Sequence, residues 1–237
     1  MLIEAIKAHL ASKPEDRDRR AITISKLGSC IKKLSYEYTG QKGDPLDWKA
    51  QMVFDDGRVG HDQLRSMLRL AGGSTFILAG EEQEVTYVYK TLRVKGHVDG
   101  LIKLPTQEIC LLELKTMGDY AYERMEKGEE LDYTYMIQIQ AYMAALDIKL
   151  CFFVAKNKGT GDLYEREIPF SSAELEACAE RILGTDMTKP DLIERPYGFD
   201  SKGKLDWHCG YCSMRSLCWK GVPMHEVKNR RNVFVKA

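Results

Sequence analysis

The spacing of apolar positions divides the first half of the chain into helical and strand-forming stretches. Helical spacing predicts helices over residues 1–13, 25–40 and about 47–70. Between residues 75 and 114, β-branched and aromatic residues occur in short runs separated by turn-forming residues. This pattern predicts an antiparallel meander of three or four strands.

The second half of the chain returns to helical spacing at residues 119–127 and 131–147. Two further strands are predicted at 149–156 and 163–168, and a helix runs from Ser171 or Ser172 to about Met187. The order helices, strands, helix, strands, helix favours an α/β fold with a mixed central sheet flanked by helices. The N-terminal and C-terminal regions lie outside this core and are expected to contact each other.

Composition narrows the class of protein. With 237 residues the chain can bury a sizeable core without disulfide support. Its 35 basic and 35 acidic residues give no net charge, so any site for a polyanion must be a local patch. No apolar run approaches the roughly 18 residues of a membrane span, and residues 1–13 do not resemble a signal peptide. A secreted, membrane-spanning or disordered protein is therefore not expected.

Two carboxylates and a lysine are predicted to converge at one edge of the meander. Glu113 and Lys115 lie two apart on a strand and therefore share a face. A hairpin brings Asp99, at the end of the preceding strand, near Glu113. Two carboxylates suit Mg²⁺ or Mn²⁺, and a lysine beside them could activate water or stabilise negative charge. An E-x-K strand is also typical of a solvated face with a weak cross-strand ion pair.

Three further polar residues follow the same order along the chain. His61 lies on the predicted helix before the meander, and Gln138 and Tyr142 share a face of the helix after it. Each is individually compatible with ordinary packing. The joint pattern resembles the RecB-like branch of the PD-(D/E)XK nuclease superfamily over roughly residues 20–220. The motifs that carry the resemblance are Gly57…His61, Gly96…Asp99, Glu113…Lys115 and Gln138…Tyr142.

The resemblance implies a restriction-endonuclease-like core and a metal site. Asp99 and Glu113, with the backbone carbonyl of Leu114, would hold one or two Mg²⁺ or Mn²⁺ ions, and His61 would be a further ligand. Two ions, if present, would lie about 4 Å apart and flank the scissile phosphate.

The same resemblance implies roles for the remaining motif residues and a function. Lys115 would orient or deprotonate the attacking water, while Gln138 and Tyr142 would contact the DNA backbone or brace the site. The expected activity is a metal-dependent DNA exonuclease that prefers single-stranded ends, with 5′→3′ polarity favoured. A single-strand or flap endonuclease and a non-catalytic module that binds DNA ends remain alternatives.

The cysteines indicate a second site. Cys209, Cys212 and Cys218 form a C-x2-C-x5-C group, and Cys30 lies far upstream. Soft thiolates suit zinc, for which His208 offers a nitrogen ligand, as well as iron–sulfur clusters. A zinc-stapled scaffold or interaction protein therefore stays open. The remaining cysteines are expected in the core: Cys110, Cys151 and Cys178.

One cysteine before the nuclease motifs and three after them resembles the iron–sulfur subset of the superfamily, which includes CRISPR-associated single-domain exonucleases and AddB-type nuclease domains. The resemblance implies a [4Fe–4S] cluster on the four grouped cysteines that staples the ends of the chain together. The expected organisation is a single nuclease domain over residues 1–237. Its core would span about 47–187, and its cluster subdomain about 21–40 with 205–222.

Partners and location follow from the same resemblance. We expect DNA as substrate, no membrane partner, and a cytoplasmic protein of a bacterial, archaeal or phage-infected cell. No G-x4-G-K-[ST] motif is present, so a helicase, recombination or CRISPR adaptation partner could feed the enzyme. DNA repair, phage DNA metabolism and CRISPR spacer processing are all compatible pathways.

Local positive charge and exposed aromatic rings are the features expected to contact DNA. The candidate basic residues are Lys32, Lys33, Arg215, Lys220, Lys228, Arg230 and Arg231. The candidate aromatic residues are Tyr120, Tyr122, Tyr133 and Tyr135. Either set is also compatible with ordinary solvation or core packing.

Overall fold

The computed structural model describes residues 2–12, 20–45, 47–201 and 203–222. The helices are α1 (Leu2–Ala11), α2 (Ile31–Tyr38), α3 (Trp48–Ala71), α4 (Asp119–Glu126), α5 (Tyr133–Leu146), α6 (Ala173–Leu183), α7 (Trp207–Gly210) and α8 (Arg215–Cys218). The strands are β1 (Ile77–Ala79), β2 (Glu84–Tyr89), β3 (Leu92–His97), β4 (Gly100–Lys103), β5 (Ile109–Met117), β6 (Leu150–Asn157) and β7 (Leu163–Pro169). Across these described ranges, no helix is long and apolar enough to cross a membrane.

The chain forms two compact units. The first consists of the described parts of residues 1–21, 29–55 and 185–237, and the second of residues 22–28 and 56–184. The second unit holds all seven strands, and the first holds the four grouped cysteines.

The second unit contains a five-stranded sheet in the order β1-β4-β5-β6-β7 and a separate β2–β3 hairpin. The β5–β6 pair is parallel and the other pairs of the sheet are antiparallel. The prediction of a mixed sheet flanked by helices is therefore confirmed. The meander holds five strands rather than three or four, because irregular backbone at 80–83 and 98–99 divides each long strand in two.

The alternation of side chains along β5 places an apolar cluster on one face and the Glu113 carboxylate on the other. Leu112 and Leu114 pack with Leu64 of α3 and Val154 of β6 in a buried apolar cluster. Glu113 and Lys115 point to the opposite face, where Gln138 of α5 contacts Glu113. The period of two thus places Leu112 and Leu114 on one face and Glu113 on the opposite face.

Two helix boundaries differ from the prediction. The second helix begins at Ile31 rather than near Ser25, because the preceding residues form a 3-10 turn and Gly28 lies against α5. A Cβ at Gly28 would stand 2.7 Å from Cα of Thr134, so the backbone passes α5 without a side chain. The sixth helix ends at Leu183, before Gly184, rather than near Met187.

In the first unit, α2 is joined to residues 187–193 by polar contacts. The ammonium of Lys32 donates to the carbonyls of Pro190 and Ile193, each at 2.7 Å. Ser35 Oγ donates to the carbonyl of Met187 at 2.7 Å, and the hydroxyl of Tyr36 donates to Asp191 at 2.9 Å. Lys32 is buried and committed to these carbonyls, so its predicted contact with DNA is wrong.

Two glycines of α3 make a matched pair for testing how the helix packs on the sheet. A Cβ at Gly60 would stand 2.4 Å from Cγ2 of Thr116 on β5, whereas one at Gly57 would meet no atom within 4 Å. We expect Gly60→Ala to lower the free energy of unfolding by about 1–3 kcal/mol through overpacking. Gly57→Ala should raise it by about 0.5–1 kcal/mol through helix propensity. Urea denaturation measures both, and equal effects would contradict this packing.

Candidate active site

The centre of the site is Glu113, which lies on β5 and is 1% exposed. Its Oε1 atom accepts hydrogen bonds from the ammonium of Lys115 and from Nε2 of Gln138, the latter at 2.9 Å. Its Oε2 atom is buried and has no hydrogen-bond partner among the described residues. One carboxylate oxygen is thus fully engaged while the other is left without a donor inside the protein.

Asp99 lies in the short link between β3 and β4. The strand β4 begins at Gly100, which pairs with Leu112 of β5. Leu114 lies two residues further along β5, where β4 offers no residue to pair with it. The N–H of Leu114 instead donates to Oδ2 of Asp99 at 2.8 Å. The Asp99 carboxylate therefore accepts the hydrogen bond that a backbone carbonyl of β4 would otherwise accept. This contact fixes the carboxylate near Glu113.

Helices α3 and α5 supply the remaining predicted site residues. Nδ1 of His61 on α3 lies 3.4 Å from Oδ1 of Asp99. Tyr142 on α5 is buried, and a Cβ at Gly96 would stand 2.9 Å from its hydroxyl oxygen. Tyr142 therefore braces α5 against β3 and has little surface with which to contact DNA.

Tyr135 takes part in the site in a way that the sequence reasoning missed. The ammonium of Lys115 lies 5.2 Å from the centre of the Tyr135 ring, a cation–π contact that helps to fix it. Tyr135 precedes Gln138 by three residues and Tyr142 by seven, so all three share one face of α5. That spacing was the signal available in the sequence.

The two carboxylates have pKa values shifted in opposite directions. Burial raises the pKa of Glu113 to about 7; the positive charge of Lys115 opposes the shift and the negative charge of Asp99 adds to it. Burial would also raise the pKa of Asp99, but His61, Lys115 and the Leu114 N–H outweigh it, so the pKa of Asp99 is lowered. The pKa of Lys115 is raised because Glu113 and Asp99 outweigh the effect of its burial.

The donor set suits one hard divalent cation. Among the described residues, no three His, Cys, Asp or Glu side chains are arranged as a metal site by themselves. Mg²⁺ is commonly held by only one or two carboxylates, with water and substrate oxygens completing its shell. Asp99 and Glu113 supply two carboxylates, and the unpartnered Oε2 of Glu113 is an oxygen that a cation would satisfy. His61 and the Leu114 carbonyl are the further donors nearby.

The four grouped cysteines all lie in the first unit. Burial, with a smaller contribution from the charges of Cys30 and Cys218, raises the pKa of Cys209 to about 12 and that of Cys212 to about 11. The four thiols are therefore close enough to interact, although over the described parts of the chain no three of them form a ready metal site. Cys30 is the N-cap residue of α2 rather than part of that helix.

Polar groups surround these thiols. The charge of Lys33 and the N–H of Met214 lower the pKa of Cys212, in opposition to its burial. The indole of Trp219 acts in the same sense on Cys209, yet its buried N–H makes no well-formed hydrogen bond within the described residues. An electron-rich sulfur site here would satisfy that N–H.

His208 is less suited to metal binding than its position beside Cys209 suggested. Its Nδ1 atom lies 2.7 Å from Oδ1 of Asp206. The imidazole also stacks on the ring of Tyr197, with a centroid distance of 4.2 Å. These contacts orient the ring as part of an aromatic stack.

The expected DNA-contacting residues divide by exposure. Arg215 is buried like Lys32, whereas Lys220 is exposed. Tyr122 is buried in the core, but Tyr120, in the first turn of α4, is 76% exposed. Three basic residues of the predicted patch lie outside the described residues: Lys228, Arg230 and Arg231. The three cysteines expected in the core are all buried: Cys110, Cys151 and Cys178.

Comparison with known proteins shows the fold. No protein-family model and no curated protein match the sequence. The structure is similar to that of SSO0001, with 18% identity, a TM-score of 0.51, and coverage of 92% of this chain and 96% of that one. It is also similar to LHK-Exo in complex with dAMP, with 16% identity, a TM-score of 0.51, and coverage of 76% and 89%.

A second structure of LHK-Exo is described as an alkaline exonuclease from Laribacter hongkongensis, and it matches with 16% identity and a TM-score of 0.48 over 76% of this chain and 93% of that one. At these identities the likeness concerns the fold alone. The chain therefore shares a mixed α/β fold with SSO0001 and with LHK-Exo.

The raised pKa of Glu113 predicts how the metal-free protein responds to pH. The unfolded carboxyl titrates near 4.5 and the folded one at about 7, so the folded state binds the extra proton between these values. This stabilising contribution is complete below the unfolded pKa and is lost as the pH rises through about 7. We expect the free energy of unfolding to fall by about 3 kcal/mol over this window. Urea denaturation in EDTA should show that Glu113→Gln flattens the fall, and an unchanged slope would refute the assignment.

Proposed function

We propose that the protein is a divalent-metal-dependent deoxyribonuclease. The observation that carries the proposal is the convergence of Asp99, Glu113 and Lys115 at one edge of the sheet, with one buried oxygen of Glu113 left unpartnered. A solvated surface ion pair, the simpler interpretation of an E-x-K strand, does not account for a carboxylate that is 1% exposed. Metal-assisted phosphodiester hydrolysis uses such an arrangement of negative ligands and a nearby positive charge.

Asp99, Glu113, the Leu114 carbonyl and His61 would hold Mg²⁺ or Mn²⁺. When bound, the metal would polarise the scissile phosphate and lower the pKa of a water molecule. Asp99 is prepared for this role because its lowered pKa keeps it ionised. The pKa of Glu113 is raised when no cation is bound, so part of the Glu113 population carries a proton. Binding of the metal would displace that proton.

Lys115 has two candidate roles, and its electrostatics favour one of them. Its raised pKa favours the ammonium form, which cannot accept a proton from water. We therefore infer that Lys115 orients the attacking water and stabilises the negative charge that builds up on the phosphate. Gln138 and Tyr135 hold Glu113 and Lys115 in place for this role.

We propose single-stranded DNA ends as the preferred substrate, degraded by an exonuclease with 5′→3′ polarity favoured. LHK-Exo, which shares the fold, is described in complex with dAMP, which supports DNA as the substrate class. Tyr120, with Arg124 stacked 5.9 Å from its ring centre, is an exposed aromatic residue five positions beyond Lys115. Base stacking on such a ring is tolerant of sequence. Recombination, DNA repair, phage DNA metabolism and CRISPR spacer processing are the compatible pathways.

We further propose that Cys30, Cys209, Cys212 and Cys218 bind a [4Fe–4S] cluster with a structural role. The proposal is supported by the mutual interaction of the thiols and by the unpartnered indole N–H of Trp219 beside Cys209. Iron–sulfur clusters commonly accept such N–H donors at their sulfur atoms. The four cysteines close a long chain segment, which would lower the conformational entropy of the unfolded state.

The first experiment is digestion of end-labelled linear and circular single-stranded DNA in Mg²⁺ or Mn²⁺ by anaerobically purified protein. We expect metal-dependent loss of the linear strand only. Lys115→Ala should reduce the rate by at least about 100-fold, because the charge at the reacting phosphate is lost. Labels at either end report the polarity.

Lys95→Ala is the matched control, since Lys95 forms an exposed ion pair with Glu84 and should cleave like the wild type. Cutting of circles would indicate an endonuclease. No cleavage of either substrate by folded, metal-loaded protein would indicate a module that binds DNA ends without cutting them.

Analysis of bound metal tests the cysteine site separately. We expect brown protein that contains iron and acid-labile sulfide in equal amounts, and loss of both in Cys212→Ser. Cys178→Ser is the control, because its hydroxyl can keep the hydrogen bond that Cys178 donates to the Leu27 carbonyl at 3.1 Å. Colourless, iron-free protein that carries zinc would instead support a zinc site.

A further inference from the structure

Asp99 lies opposite an irregular stretch of backbone that interrupts a long hairpin. On one side of the interruption Ala79 pairs with Leu101, and on the other Glu84 pairs with His97. Four residues, 80–83, therefore stand opposite three, 98–100. A surplus of one residue is the mark of a β-bulge, which bends a strand and redirects a side chain.

Residues 80–83, here called the 80–83 turn, hold the backbone on both sides of Asp99. The N–H of Val98 donates to the carbonyl of Gln83 at 3.1 Å, and the N–H of Leu101 donates to the carbonyl of Gly80 at 3.0 Å. The position of the Asp99 carboxylate therefore depends on the shape of this turn.

The turn adopts a backbone conformation that needs support. Gly80 has φ of 58°, which glycine adopts freely, but Glu82 has φ of 51°. A left-handed conformation costs a residue with a side chain on the order of 1–2 kcal/mol. Contacts from elsewhere must hold Glu82 in place.

Those contacts come from two arginines of α3. Arg65 is buried, and its guanidinium binds the carboxylates of Glu82 and Asp62, the latter at 2.7 Å. Arg69, one helical turn later, binds both carboxylate oxygens of Glu81. Arg65 also donates to the backbone carbonyl of Asp99 at 3.4 Å. Bidentate contacts of this kind fix orientation as well as charge.

We propose that Arg65 is a positioning residue for Asp99, acting through Glu82 and the 80–83 turn. The inference rests on the proposed function, because it assigns Asp99 to metal binding. His61 precedes Arg65 by four residues on the same face of α3. One helix face thus places the imidazole beside the Asp99 carboxylate and also holds the backbone that carries that carboxylate.

The test compares Arg65→Met and Glu82→Gln with Glu180→Gln. Glu180 pairs with Lys90, which like Glu82 is a turn residue with φ of 51°, and this pair does not touch the Asp99 link. In metal-free protein we expect the Leu114 amide, which donates to Asp99, to exchange with solvent about tenfold faster in the first two variants. Their dissociation constant for Mn²⁺, measured by titration calorimetry, should rise about 10- to 100-fold. Glu180→Gln should match the wild type in both.

Thermal unfolding separates positioning from simple loss of stability. Folded variants with a lower melting temperature but wild-type exchange at Leu114 and wild-type Mn²⁺ affinity would overturn the proposal. If Arg65→Met does not fold, Glu82→Gln decides, since Glu82 is largely exposed. If wild-type protein binds no Mn²⁺ and cleaves no DNA, the proposed function fails, and exchange at Leu114 alone decides the positioning role.

Discussion

The candidate site depends on a carboxylate that the fold removes from water. Glu113 is held by Lys115 and Gln138 on one oxygen only, and burial makes its ionised form costly. A chain that needed Glu113 only for stability would gain from an apolar residue on this strand, because an incompletely satisfied buried charge is destabilising. The arrangement is understandable if a positive ligand completes it, and the neighbouring groups prepare a place for that ligand.

Asp99 and Glu113 show how two neighbouring carboxyl groups acquire different properties. Asp99 is surrounded by donors, the Leu114 N–H and His61, which favour its ionised form. Glu113 lies deeper and has fewer donors for its two oxygens. Together the pair combines a carboxylate that favours its ionised form with one whose charge depends on what binds beside it, a division of roles common in enzyme sites.

Much of this could be predicted from the sequence, because the relevant signals are local. The period of two along β5 placed Glu113 and Lys115 on one face. Helical spacing predicted a helix from about residue 47, and Asp47 indeed accepts the N–H of Ala50 at the start of α3. The split of the long strands at 80–83 could not be predicted in this way. It depends on Glu82 adopting a conformation that its own residue type disfavours and that Arg65 stabilises from a distant helix. The burial of Lys32 was missed for a similar reason, since its carbonyl partners lie about 160 residues away.

The way in which the chain builds its first unit has a consequence for synthesis on the ribosome. Residues 56–184 emerge as one uninterrupted stretch and contain the seven strands found in the described part of the chain, so the second unit can fold early. The first unit cannot be completed until residues 187–193 have emerged to receive Lys32, Ser35 and Tyr36 of α2. Until then Cys30 has been made without its three downstream cysteines. The residues of the candidate active site can therefore be in place before the four grouped cysteines are all present, so any ligand that needs all four of them would be acquired late.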